Sequence, residues 1–422
     1  MAASKVNVGI VSLGCPRNLV DSEYTLGRLQ KRNARITDIA KADIAIVNTC
    51  AFIEDAKRES IDAILDLIDL KKSGRLKKII VQGCLVQRYA RQLRRQFPEV
   101  DSFVGAVSLT RGTSRCALTP AHYAYLKICE GCVNFCSFCI IPKLKGRLSS
   151  LPIADIEAKA AALNRQGIAE LNIIGQDSTG YGLDLYGRPR LEHCLRRILA
   201  RTPRIGWVRL LYLHPARITD ELLRIIRDNP RVCKYVDLPV QHISARVLKR
   251  MRRSPGPRQI RAHLEKVRKL LPCAAIRTSV IVGFPGETEN DFKALCSFIE
   301  EERFERLGAF IYSREEETPA ADLPGQLPLA VKQERFNRVM ALQQEVSEQN
   351  NRRLLDKEIR VLIEEKEKGY YLARSEYDAP EVDGQVFVRT KKSFSPGDFV
   401  TVRIIDTMEY DLVGEPVHEH RQ

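Results

Sequence analysis

The chain has 422 residues, 44% apolar and 29% charged, an ordinary balance for a soluble protein of two or three domains with real cores. No run of about 18 apolar residues is present, which excludes a membrane-spanning helix; the first residues lead straight into a strand pattern without the apolar core of a signal peptide, so a cytoplasmic protein is expected. Twelve cysteines argue for metal or reactive thiols rather than a disulfide framework, and the net charge of +15 points to an acidic or nucleic-acid-associated partner.

Residues 5–120 read as three strand–loop–helix units. Apolar runs at 6–13, 43–48 and 78–81 end at Gly14-Cys15-Pro16, Thr49-Cys50 and Gly83-Cys84. Asp21-Ser22 precede a helical stretch that reaches Lys31; a second covers 53–70, and a third reaches Phe97. Short apolar strands alternating with helices imply a parallel α/β sheet. Cys15, Cys50 and Cys84 each sit just past a strand end, and in an open parallel sheet those ends share the ligand-binding edge. One cysteine after a strand is ordinarily a small core residue. Three in the same topological place point to a metal site.

In residues 121–355, Cys132, Cys136 and Cys139 stand in a C-x3-C-x2-C spacing on one loop. Three thiolates are one short of a closed zinc site and one short of the four that usually hold an iron–sulfur cluster, so a cluster held by three leaves one iron open. The alternatives are three structural cysteines, or a zinc knuckle completed by Cys129, which forms C-x2-C with Cys132. Strand-like runs follow at 123–128, 170–174, 207–211, 235–238, 275–282 and 306–311, with helical stretches at 153–166, 191–200, 220–227, 245–252, 258–271 and 289–301. Six βα units imply a barrel-like parallel sheet with functional loops at its C-terminal rim. Rim segments 175–187, 238–242 (with Gln241-His242) and 283–288 (Gly-Phe-Pro-Gly-Glu-Thr) are expected to line the pocket. Cys116, Cys129, Cys194, Cys233, Cys273 and Cys296 lack convergent spacing and read as packing residues. Residues 329–355 form a long charged amphipathic helix leading out of the barrel.

Residues 356–422 change to short alternating runs at 358–363, 370–373, 385–388, 399–405 and 411–413, separated by turn residues, which suggests a small antiparallel β-barrel. This segment holds ten basic against fifteen acidic residues, a net of −5 that leaves +20 on the rest. An RNA-holding domain should be basic; an acidic one suits a basic protein partner.

The C-x3-C-x2-C loop, with Phe138 before its last cysteine, resembles the radical S-adenosylmethionine (SAM) superfamily. That resemblance implies an open (β/α)6 barrel whose first βα loop holds a [4Fe-4S] cluster that chelates SAM, with Phe138 and Gln176 as SAM contacts. The stretch Ser12-Leu13-Gly14-Cys15-Pro16-Arg17-Asn18-Leu19-Val20-Asp21-Ser22-Glu23 and the segment Arg374-Ser375-Glu376-Tyr377-Asp378-Ala379-Pro380-Glu381-Val382-Asp383-Gly384 resemble the methylthiotransferases, in the branch that modifies ribosomal protein S12. The family implies a second [4Fe-4S] cluster on Cys15, Cys50 and Cys84, and a TRAM domain at the C-terminus. It implies transfer of a methylthio group to the β-carbon of an S12 aspartate, with an electron donor protein and the small ribosomal subunit as partners. Lys145-Gly146-Arg147 stands where the family carries Arg-Gly, Ser149 and Leu151 where it often carries arginines, Cys129 where it has a small residue, and Glu317 where it has a glycine. Two alternatives remain: the same chemistry on a tRNA adenosine, which predicts a basic C-terminal barrel, and a metal-stapled nucleic-acid-binding protein with closed zinc sites.

Overall fold

The structure, a computed structural model, describes residues 5–107 and 109–417; the last five residues of the expected C-terminal domain lie outside the described residues. The N-terminal unit runs β1 (Asn7–Ser12), α1 (Pro16–Lys31), β2 (Arg35–Ile36), β3 (Ile44–Thr49), α2 (Glu54–Lys72), β4 (Lys78–Gly83), α3 (Cys84–Gln96) and β5 (Ser102–Val104). All strands are parallel, in the order β2-β1-β3-β4-β5. The two edge strands are too short to show as apolar runs. Helix α1 begins five residues before the Asp21-Ser22 signal: Pro16 is pre-set for the first helical turn, with Cys15 in the N-cap place. Asp21 and Ser22 are buried inside the helix and bond elsewhere, Ser22 Oγ lying 2.7 Å from Ser12 Oγ.

The central unit opens with β6 (Tyr123–Lys127). A short antiparallel pair, β7 (Cys129–Glu130) with β8 (Ser149–Ser150), then closes the base of the cysteine loop, which carries α4 (Ile141–Leu144). There follow α5 (Ile153–Gln166), β9 (Glu170–Ile174), α6 (Leu183–Tyr186), α7 (Leu191–Arg201), β10 (Trp207–Leu210), α8 (Asp220–Asp228), β11 (Tyr235–Asp237), α9 (Ala245–Arg250), α10 (Pro257–Leu270), β12 (Ala275–Val282), α11 (Glu289–Glu302) and β13 (Arg306–Ile311). Parallel sheets β6-β9-β10 and β11-β12-β13 meet where Val208 bridges Val232, and among the described residues β13 does not pair with β6, so the barrel is open. Helix α1 packs along the free strand β6. The strands alternate sharply. Ala124, Leu126, Leu171, Ile173, Val208 and Ile276 join the core beneath the helices, while Tyr123, Tyr125, Trp207 and Tyr235 turn to the lumen.

After α12 (Leu329–Arg352) come β14 (Glu358–Lys366), β15 (Tyr370–Ser375), β16 (Val386–Arg389), β17 (Phe399–Thr407) and β18 (Leu412–Pro416), a closed barrel in the order β14-β15-β16-β18-β17. It is not wholly antiparallel: β16 and β18 run parallel. A closed ring of five strands cannot alternate direction throughout, so one neighbouring pair must be parallel. The chain after β15 enters the base of the central barrel. Glu381 accepts from Tyr123 OH at 2.6 Å, Asp383 from Tyr235 OH at 2.6 Å and Asp378 from Arg306 Nε at 2.6 Å. Glu170 at the foot of β9 receives Arg209 Nε at 2.8 Å and also Arg374 from β15. Part of the acidity expected to face a partner is therefore turned inward, where barrel arginines and tyrosines neutralise or bond it. No helix among the described residues is long and apolar enough to cross a membrane.

Candidate functional site

Cys15, Cys50 and Cys84 follow the ends of β1, β3 and β4, adjacent strands of one sheet. Cys15 caps α1 and Cys84 opens α3, placing two thiols at helix N-termini, where backbone N–H groups favour a thiolate. Two glycines make the turns possible. Gly14 has φ +85, and a Cβ there would lie 2.8 Å from Cys50 Cβ and 3.0 Å from its Sγ; Gly83 has φ +107, and a Cβ would meet Asn48 Oδ1 at 2.5 Å. Burial pushes the Cys15 thiol up, but the charge and hydrogen bond of Arg17 and the N–H groups of Asn18 and Arg17 bring it below its ordinary value. Burial pushes Cys50 up and Cys84 up to about 12, so loading metal on this triad releases protons.

The second triad lies on the loop between β7 and β8. Cys132 Sγ accepts from Asn134 N at 3.3 Å and Asn134 Nδ2 at 3.4 Å, and Cys136 Sγ from Arg253 Nη1 at 3.7 Å. Burial pushes Cys132 up and Cys139 up to about 12. Among the described residues no three His, Cys, Asp or Glu side chains converge as a single metal ion would require. A cluster presents its irons at separate corners, so its thiolates stand apart.

Two arrangements join the triads. Arg17, on α1, donates from Nε to Cys15 Sγ at 3.4 Å and from Nη1 to Gly175 O at the rim of β9 at 3.0 Å, with its guanidinium 4.3 Å from the Tyr212 ring centre. Beneath it, a buried quartet ties α1 to β6 and the cysteine loop: Lys145 lies 3.1 Å from Asp21 and 2.9 Å from Glu130, and Lys127 pairs with both acids. A third contact, Arg88 Nη1 to Glu315 Oε2 at 2.7 Å, fixes α3 on the loop after β13.

A cavity of about 330 Å³ is lined by Cys132, Cys136, Cys139, Phe138 and Gln176, and by Arg17 and Phe52 from the N-terminal unit. Gln176 Oε1, Arg253 Nε and Tyr312 OH in its wall are buried without a hydrogen-bond partner among the described residues. A buried acceptor and buried donors left over in one cavity suit a ligand with both an ammonium and a carboxylate, as SAM has. Asp177 is held below the ordinary carboxylate range despite burial by Arg217, which also donates to Asn134 Oδ1 at 2.7 Å. Burial and the Arg253 charge push His214 down to about 3, so its neutral ring accepts from Ala216 N at 3.2 Å.

Pro239 and Gln241 of the rim segment 238–242 line the cavity, as expected, whereas among the described residues its His242 and the segment 283–288 do not. His242 is fully buried; its Nδ1 accepts from Ile243 N and Ser244 N at 2.9 Å, and its Nε2 lies 3.6 Å from Glu287. Phe284 is core, and Glu287 also pairs with Arg335 on α12, so 283–288 clamps the rim rather than touching a ligand. Cys129, Cys194 and Cys233 are buried packing residues, as expected, whereas Cys273 is exposed at the turn before β12. Arg17, Asn134 and Asp177 sit beside residues already singled out by motif. Tyr212 and Arg253 carry no signal in the sequence.

A cysteine-edged parallel domain, an open six-stranded barrel with a C-x3-C-x2-C loop over its cavity, and a small closed β-barrel define a three-domain radical SAM enzyme. Family models agree: residues 7–105 match the uncharacterized protein family UPF0004, 126–299 the radical SAM superfamily and 357–417 the TRAM domain. The radical SAM superfamily implies SAM and a [4Fe-4S] cluster. The radical SAM methyltransferase TsrM from Kitasatospora setae shares the fold, with a TM-score of 0.53 at 13% identity over 75% of this chain and 77% of that one. Proteins named ribosomal protein uS12 methylthiotransferase RimO are much nearer. That of Geobacter sulfurreducens is 47% identical over 98% of this chain and 99% of its own length. Those of Desulforamulus reducens and Clostridioides difficile are 44% and 43% identical over 97% and 98% of this chain and 99% of their own. The chain belongs to the RimO family of methylthiotransferases.

Proposed function

We propose that this protein adds a methylthio group to the β-carbon of an aspartate of ribosomal protein uS12, in the cytoplasm, with electrons from a donor protein and the small ribosomal subunit as the setting. The observation that carries this reading is the 43–47% identity over nearly the whole chain to proteins named ribosomal protein uS12 methylthiotransferase. Residues 5–120, 121–355 and 356–422 are its three working units. Cys132, Cys136 and Cys139 would hold the cluster that carries SAM, and Cys15, Cys50 and Cys84 a second [4Fe-4S] cluster. When bound, these groups supply the carbon-centred oxidant derived from SAM and the sulfur to be methylated and transferred.

The chain's own residues position and protect. Gln176 offers a buried acceptor to the SAM ammonium, and Phe138, Ile281 and Leu213 give the cavity apolar walls that exclude water. Arg17 and the Asp21–Lys145 quartet hold the two cysteine edges in register.

The test is the intact mass of uS12 from cells with and without the gene, beside nucleoside analysis of their tRNA. Loss of a methylthio-sized increment from the protein alone supports the reading; loss of a methylthiolated adenosine instead overturns it. Cys136→Ala should abolish SAM cleavage and leave the N-terminal cluster. Cys50→Ala should leave SAM cleavage and stop sulfur insertion.

A further inference from the structure

Each cysteine triad has one arginine on one of its sulfurs. Arg17 Nε donates to Cys15 Sγ at 3.4 Å, and Arg253 Nη1 to Cys136 Sγ at 3.7 Å. Each guanidinium is pinned by a backbone carbonyl of the barrel rim, Arg17 by Gly175 O at 3.0 Å and Arg253 by Pro239 O at 2.6 Å. Their hydrogen bonds thus go to sulfur and to carbonyl oxygen. The other cations nearby differ: Arg217 is paired with Asp177, and Lys145 with Asp21 and Glu130. Among the described residues neither guanidinium is paired with a carboxylate, and both lie against cysteine sulfur in the wall of one cavity.

A cation hydrogen-bonded to a cluster's cysteine sulfur stabilises the form carrying the extra electron, and so moves the reduction potential upward. We infer that Arg17 and Arg253 are positioning residues, one per triad, each setting the reduction potential of the cluster its triad holds. The inference rests on the two-cluster reading above. The two are not equivalent. Arg253 belongs to the same domain as Cys136. Arg17 belongs to the N-terminal domain, but Gly175 and Tyr212 of the barrel hold it on Cys15. The first cluster therefore has its working potential only while the two domains are docked.

The experiment uses the full-length chain in two backgrounds, Cys132→Ala/Cys136→Ala/Cys139→Ala and Cys15→Ala/Cys50→Ala/Cys84→Ala. Each is reconstituted anaerobically with iron and sulfide and titrated with dithionite while paramagnetic resonance follows the one-electron reduction. In the first background, Arg17→Gln should shift the midpoint negative, cutting the reduced-to-oxidised ratio at the parent midpoint about tenfold, or 59 mV for one electron. Arg17→Lys, which keeps the charge, should recover most of that shift. In the second, Arg253→Gln should do the same, and Arg17→Gln, which removes a charge from the shared cavity wall but no hydrogen bond to these sulfurs, should shift the midpoint much less. Iron-replete Gln variants at the parent midpoint would overturn the inference, as would an Arg17→Lys shift equal to that of Arg17→Gln. A background that binds no iron and sulfide at all would overturn the two-cluster reading instead.

Discussion

Lys145 Nζ lies 3.1 Å from Asp21 Oδ2, and the two residues come from opposite cysteine-bearing units. Asp21 stands six residues after Cys15, and Lys145 six after Cys139. Both side chains are at most 5% exposed. Removing one partner of a buried pair strands the other's charge, at a cost of about 3–5 kcal/mol. Lys145→Met should lower stability by that order in denaturant unfolding, and Asp21→Asn with Lys145→Met should cost less than the two single changes added together.

Gln176 Oε1 is buried with no donor among the described residues. Gln176→Leu keeps the bulk and removes the acceptor. A hydrogen bond to a charged group contributes about 1.5–3 kcal/mol, so SAM affinity should fall roughly 10- to 100-fold at unchanged iron content. Anaerobic calorimetry reads the first quantity and iron assay the second.

Lys159 is buried beside Tyr24, donating to its hydroxyl at 2.5 Å and to Gly112 O at 2.7 Å, and burial together with the Arg115 charge pushes it down to about 7. Below pH 7 both folded and unfolded chains carry the proton, and the folded one bears the full cost of burying it. Between about 7 and the ordinary lysine value near 10.4, only the unfolded chain binds the proton, so stability rises with pH through that window. Lys159→Met should be stabilising at pH 6–7, and its advantage in melting temperature should shrink steadily toward pH 10.

Glu317, where the family resemblance leads one to expect glycine, has φ +65, and among the described residues its carboxylate meets only the exposed Lys143, at 3.2 Å. A left-handed conformation costs a side-chain-bearing residue about 1–2 kcal/mol, and an exposed ion pair returns little. Glu317→Gly should raise the melting temperature by a few degrees or less, because glycine's freer unfolded chain offsets part of the gain. A fall in melting temperature would show that the Lys143 pair outweighs the strain.

Much of this was legible in the sequence. The runs at 170–174, 275–282 and 306–311 match β9, β12 and β13, because each alternates apolar residues between a helix-covered face and a lumen. The six cysteines stood out because each triad repeats one position, the strand end or the loop. The contacts that join the triads left no such mark. Arg17 with Gly175, Asp21 with Lys145 and Arg88 with Glu315 pair residues more than 120 positions apart, and no periodicity connects them. Nor does sequence charge say which way an acid points: Asp378, Glu381 and Asp383 count as surface until the barrel base is seen to hold them.

That base bears on how the molecule comes into being. Glu170, Arg209 and Tyr235 belong to strands made in the middle of the chain, but Arg374, Glu376 and Asp383, which complete their charge and hydrogen-bond partnerships, are made near its end. While a ribosome is still translating this chain, Glu170 has Arg209 but lacks Arg374, and Arg306 lacks Asp378, so the lumen is incompletely neutralised. The protein reaches its mature interior only after its third domain has left the exit tunnel.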